Sequence, residues 1–263
     1  MHFNKLLIPV LLLPLLSFGQ NELQLKTASG HPMMYYISLP QNWTPEKSWP
    51  VVFVLEAAEK EFRKNAALFT DARGSLPFIL VAPVNTNNGN QGRKDPAVFP
   101  YSKETWDYID RVGDCQFNAD GIGQIIADVQ KEFNGDGRIF LTGFEAGTHD
   151  LWSVVFNHPE YLKAAAPVAG NYRGRCVDVN ALSKNPSRQN MSIMAFFGQK
   201  DEYFRPGGKL SSQWTEPKDI ALTHGYKEVS ETILPDKGHE PLPREVLAYF
   251  YKLYIQERTI RSE

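Results

Sequence analysis

The sequence predicts an α/β fold, a mostly parallel sheet with helices on both faces. Three observations carry this. Short continuous apolar runs recur along the chain, as expected for strands buried on both sides. Segments with helical spacing of apolar residues lie between them. No internal repeat, low-complexity tract or interdomain linker divides the chain, so the pattern belongs to one domain.

Taken in order, residues 34–38 (MYYIS) read as a first strand, followed by a turn-rich stretch from Pro40 to Lys47. Residues 51–55 (VVFVL) are wholly apolar, and so are 78–82 (FILVA). Further strands are expected at 138–142, 164–168, 193–197 and 229–234, with 164–168 the weakest in pattern. Ile122, Ile125, Ile126, Val129 and Phe133 share one helical face; Asp120 is placed to cap that helix and Asn134-Gly135 to end it. Val246, Leu247, Phe250, Leu253 and Tyr254 form the stripe of a last helix. Residues 85–113 and 172–190 are irregular and rich in Asn, Gly, Pro and aromatics, which marks them as long loops over the sheet.

The chain opens with Lys5, an apolar run over 6–16 and the small-residue pattern Ser17-Phe18-Gly19. This reads as a secretory signal peptide, 1–19, preceding one domain, 20–263. The run is shorter than the roughly 20 residues a helix needs to span a bilayer, so no stable membrane insertion is expected and the mature protein is placed in the periplasm or outside the cell. The formal charge of −2, with no long basic run, argues against nucleic acid as a partner. Two cysteines, Cys115 and Cys176, sit in a chain bound for an oxidising space, where a disulfide is expected. It closes a loop of about 60 residues, worth about 4 kcal/mol in the chain-entropy model. Two isolated cysteines make a poor metal site, and no cofactor motif is present.

The chemistry is concentrated at Thr142-Gly143-Phe144-Glu145-Ala146-Gly147. It follows a buried strand and opens a helix, the setting of a nucleophile elbow, Gly-x-Ser-x-Gly. The flanking glycines let strand and helix pack closely around a strained central residue. Here that central residue is Glu145. Two further elements follow: Gly198-Gln199-Lys200-Asp201 past a strand end, and Gly238-His239 in a loop before the last helix. Nucleophile, acid and histidine thus occur in the chain order of an α/β-hydrolase.

On these motifs the sequence resembles secreted esterases of the α/β-hydrolase superfamily related to polyhydroxybutyrate depolymerases and feruloyl esterases. The likeness is strongest around the elbow, Ala164-Ala165-Ala166-Pro167-Val168-Ala169-Gly170, Gly198 to Asp201, and Gly238-His239. It implies an α/β-hydrolase fold and a small-molecule or polymeric ester-like ligand. Glu145 falls on the serine, Asp201 on the acid and His239 on the base. The backbone donors to an oxyanion would be Ala146 and, in the loop after the first core strand, Glu56 and Ala57. The family has a His-Gly pair there, whereas this chain has Leu55-Glu56-Ala57-Ala58, and the carboxylate of Glu56 would oppose an oxyanion if it faced inward.

Several readings of Glu145 follow. Serine turnover is lost, and Glu145, His239 and Asp201 form a polar floor to a binding pocket. Or Glu145 is itself a carboxylate nucleophile, with His239 activating water. Or a different serine, Ser153 or Ser102, takes over. A fourth reading joins Glu56, Glu145, Asp201 and His239 around a divalent cation. Replacing Glu145 by Ser is expected to recover little turnover while Glu56 remains. Asn134-Gly135-Asp136-Gly137 is a turn, lacking the last acid of a calcium loop. Trp106, Tyr108, Tyr172 and Trp214 are candidates to line a cleft.

Overall fold

The computed structural model describes residues 22–203, 208 and 210–262; the predicted leader lies outside them. Eight strands form one sheet: β1 (Gln24–Thr27), β2 (Met34–Ser38), β3 (Val51–Leu55), β4 (Ile79–Pro83), β5 (Ile139–Phe144), β6 (Leu162–Val168), β7 (Ser192–Gly198) and β8 (Glu228–Leu234). Their order across the sheet is β1-β2-β4-β3-β5-β6-β7-β8. β1 and β2 run antiparallel to their neighbours, and every pair from β4 through β8 is parallel. This is an α/β-hydrolase fold.

Alternation along the strands decides which layer each residue joins. Val51, Phe53 and Leu55 of β3 pack on one side, and Val52 and Val54 on the other, with all five buried. The first side is covered by α3 (Asp114–Phe133) and α4 (Thr148–Asn157), through Ile122, Ile125, Leu151 and Val155. The second is covered by α1 (Phe62–Arg73) and α6 (Pro243–Ser262), through Ala66, Phe69, Val246, Leu247 and Phe250. A short helix α2 (Lys103–Val112) precedes α3, and α5 (Ser212–Thr223) precedes β8. Among the described residues no helix is long and apolar enough to cross a membrane.

Three expectations need correction. Asp120 does not cap α3. The helix begins at Asp114, with only Gly113 separating it from α2, and Asp120 lies on its exposed face, accepting from Gln116 Nε2 at 2.8 Å. Gly113 makes this corner at φ 85°, ψ 152°, a backbone shape that side chains disfavour. Nor is the segment 85–113 a loop throughout, since it contains α2, started by Ser102, whose hydroxyl accepts from Thr105 N–H. The four aromatics proposed for a cleft instead belong to the core: Trp106, Tyr172 and Trp214 are buried, and Tyr108, partly buried, packs against the same cluster through Phe117. The 134–137 segment is a turn, with Asn134 in the left-handed conformation at the end of α3.

Candidate active site

The elbow is built by close packing. β5 ends at Phe144, a single 3₁₀ turn spans Glu145–Gly147, and α4 follows. Glu145 has φ 49°, a left-handed conformation costly for any residue with a Cβ. Two neighbours hold it there: its carbonyl accepts from Thr148 Oγ1 at 2.6 Å and from Asn171 N–H at 3.3 Å. The flanking glycines are required by space. A Cβ on Gly147 would stand 2.6 Å from the Leu55 carbonyl oxygen, and one on Gly143 would stand 2.9 Å from Gly147. The turn therefore sits against the end of β3, where the predicted donor loop begins.

That loop differs from expectation. The Glu56 carboxyl is buried beside Glu61 and Asn65 at the start of α1, and its Oε2 meets no hydrogen-bond partner among the described residues. Burial raises its pKa to about 7. The Ala57 carbonyl accepts from Asn88 Nδ2 at 2.9 Å. The donor that reaches the elbow is the next one: Ala58 N–H donates to Glu145 Oε2 over a long 3.4 Å. Behind it, the buried Lys60 Nζ donates to the Ala58 carbonyl at 2.9 Å and to the Asn88 carbonyl at 3.4 Å. Burial depresses the Lys60 pKa, and the charges of Glu59, Glu56 and Glu145 oppose that. Lys60 and Ala58 were not among the sequence candidates. The signal for Ala58 was its place just past β3, which singled out two other residues.

The other half of the site forms at the ends of β7 and β8. The Asp201 side chain is fully buried and accepts from His239 Nδ1 at 2.9 Å, while its second oxygen accepts from Tyr203 N–H at 3.0 Å. With Nδ1–H given to a carboxylate, Nε2 is the basic nitrogen of the ring. Gly198 lets the two loops meet, because a Cβ there would collide with the backbone carbonyls of Gly238 and Lys237. Phe144, the residue before Glu145, packs its ring 4.8 Å from that of His239, and Tyr203 packs at 5.1 Å. The elbow and the Asp201–His239 pair therefore adjoin at the carboxyl ends of parallel strands, the position where open α/β sheets bind ligands.

The remaining candidates take structural roles. Ser153 is buried in α4 and its hydroxyl donates to the Cys176 carbonyl at 3.3 Å; Ser102 is the cap of α2. Among the described residues no three His, Cys, Asp or Glu side chains converge to hold a metal ion, which removes the four-residue cation reading.

A polar underlayer supports the elbow from the side of the first loop. Cys115, on α3, and Cys176, on the irregular 172–190 segment, are joined as a disulfide. Asn87 Nδ2 contacts Cys176 Sγ at 3.3 Å. The carboxyl of buried Asp150, on α4, receives Asn85 Nδ2 at 2.6 Å and Asn118 Nδ2 at 3.2 Å. Burial raises the Asp150 pKa to about 7 and lowers that of neighbouring His149 to about 4. The asparagines of residues 85–88 thus connect α4, the disulfide and the Ala57 carbonyl in one network.

No family model matches the chain, and no curated protein matches it. Solved structures do. A putative dienelactone hydrolase from Klebsiella pneumoniae aligns with a TM-score of 0.56 at 18% identity, over 90% of this chain and 98% of that one. Poly(aspartic acid) hydrolase-1 from Sphingomonas sp. KT-1 also aligns at 0.56, with 13% identity over 88% of this chain and 97% of that one. A thermostable esterase aligns at 0.54 and 18% identity over 90% of this chain, which spans only 62% of the esterase's length. At these identities the likeness establishes the fold.

Proposed function

We propose that this chain is an exported relative of carboxylic-ester hydrolases that binds an ester-like ligand without serine turnover. One observation carries the reading. The elbow side chain is a carboxylate, and it occupies the Ala58 N–H, the donor that an oxyanion would need. A substrate carbonyl arriving there would meet a standing negative charge and a donor already in use. Covalent catalysis by Glu145 is disfavoured for a related reason. Attack on an ester would give a mixed anhydride, an uphill product, from a carboxylate already held by a hydrogen bond. The Asp201–His239 pair remains as a polar wall of the ligand cleft.

The test is direct. Purified wild-type protein should turn over no short aryl esters and take no label from organophosphonate probes. Intact-mass spectrometry after incubation with ester, epoxide and haloalkane panels should show no adduct. Phosphonate-sensitive esterase activity, or an adduct mapped to Glu145, would overturn the proposal. Export is tested separately: N-terminal sequencing of the secreted or periplasmic protein should begin at or near Gln20.

A further inference from the structure

Two arginines lie beside the elbow, and among the described residues no carboxylate pairs with either. Arg173 and Arg175 stand two positions apart on the 172–190 segment, both exposed. The nearest acid in sequence, Asp178, instead accepts from Asn180 N–H at 2.9 Å. Both arginines are pinned. Arg173 Nε donates to Asn171 Oδ1 at 3.4 Å, and the Asn171 N–H is shared between Thr148 Oγ1 at 2.7 Å and the Glu145 carbonyl at 3.3 Å. Asn171 thus links the Arg173 guanidinium to the backbone of the elbow. Arg175 Nη1 donates to the Asn87 carbonyl at 2.9 Å, and its neighbour Cys176 is tied by the disulfide to α3. Asn88, next to Asn87, holds the Ala57 carbonyl, which belongs to the same peptide unit as the Ala58 N–H. The two cations therefore sit where the 172–190 and 85–88 segments meet, at the edge of the elbow.

Both charges act on one buried ring. His149, in the first turn of α4, has its pKa lowered to about 4 by burial first, then by Arg175 and Arg173. Two cations gathered near one helix start repel each other, and the positive end of the α4 dipole adds to the potential. Each guanidinium spends one N–H on the protein and keeps the rest of its fork for other acceptors. An anion with two or more oxygens relieves the repulsion and fills those forks. Glu145 has the opposite sign and repels an anion from the elbow itself. The charges therefore give the cleft a direction, with a carboxylate at the elbow and a cationic pair at its edge.

We propose that Arg173 and Arg175 form an anion subsite of the elbow cleft, which takes a carboxylate or phosphate group carried by the ligand at the end remote from Glu145. The inference rests on the elbow cleft being a ligand site, as proposed above, and adds the class of ligand: an ester that also bears an anionic group.

Titration calorimetry and saturation-transfer NMR on the whole disulfide-bonded chain test it with monoethyl adipate, diethyl adipate and phenyl phosphate. Monoethyl adipate should bind in the millimolar range at low salt, at least about tenfold more tightly than the diester, and the preference should fade in high salt. Arg173→Gln and Arg175→Gln should each weaken monoethyl adipate by about tenfold, a loss of about 1.4 kcal/mol. Lys252→Gln removes the same charge from an exposed position on α6, across the sheet from α4, and should change nothing. The tighter of monoethyl adipate and phenyl phosphate tells carboxylate from phosphate. Arginine-dependent binding of phenyl phosphate, with no binding of either adipate ester, would uphold the anion subsite and fail the reading of the cleft as an ester site. Equal binding of the two adipate esters overturns the subsite, and so does binding that neither arginine variant changes, or no binding by any of the three probes.

Discussion

The two halves of the candidate site obey the same packing rules and have different chemical fates. At the elbow, Gly143 and Gly147 let α4 press against the end of β3, and Glu145 holds the strained φ of a nucleophile. At the ends of β7 and β8, Gly198 lets two loops meet, and Asp201 grips His239. The second half holds a histidine ring against a buried carboxylate. The first holds a strained strand-to-helix turn whose side chain accepts from the Ala58 N–H. The scaffold that shapes an active site is therefore independent of the atom that makes it active, because sterics fix the turn and one side chain fixes the chemistry.

The largest expected effect comes from changing the elbow side chain alone. Glu145→Ser removes the carboxylate from the Ala58 N–H and puts a hydroxyl beside the existing pair. Since Glu56 faces α1, it does not oppose the oxyanion, and the single substitution should suffice, contrary to expectation from sequence. Phosphonate labelling should rise at least about 100-fold over wild type, the scale of one restored oxyanion donor, and His239→Ala on that background should abolish it. Labelling that stays at the wild-type level would mean that the elbow half is altered beyond its side chain.

Next in size is the disulfide, which ties the 172–190 segment to α3 near the elbow. Cys115→Ser with Cys176→Ser should cost about 4 kcal/mol in denaturant unfolding, while the His239–Asp201 proton signal in NMR persists. Loss of that signal in the folded variant would show that the two halves are not separable. Gly198→Ala strikes the other half: overpacking against the Gly238 and Lys237 carbonyls should destabilise by about 3 kcal/mol. A thermal midpoint equal to that of wild type would contradict the tight contact.

The smallest effect concerns Glu56. Its pKa rises from 4.5 to about 7 on folding, so between these values the folded state binds more protons and its stability falls as pH rises. Glu56→Gln removes that loss. It should match wild type near pH 4 and exceed it by about 3 kcal/mol at pH 8, as a shift of this size implies. Equal stability at both pH values would place the carboxyl in water, and with it the donor loop in another conformation.

The central strands were legible because burial on both faces leaves uninterrupted apolar runs; β2 and β3 fall on the expected residues. α1 and α5 were not read, since their polar faces dilute the apolar spacing, and the four-residue edge strand β1 carries almost no pattern. In the site, Glu145, Asp201 and His239 stood out through glycine-marked turns. Which N–H reaches the elbow could not be read. That depends on Asn88 and buried Lys60 holding the Ala57 and Ala58 carbonyls, contacts set by the tertiary structure.

The strand order has a consequence for how the molecule comes together. β3 lies between β4 and β5, so the strand leading to Ala58 gains its second partner only after residues 139–144 exist, and His239 follows β8, which pairs last along the chain. Parallel pairings of this span close slowly, since long loops must be ordered before any contact rewards them. A chain truncated before β8 carries the elbow and its donor but no base, and no shorter fragment unites Ala58, Glu145 and His239. Only α6, which covers the second side of the sheet, follows the completed site along the chain.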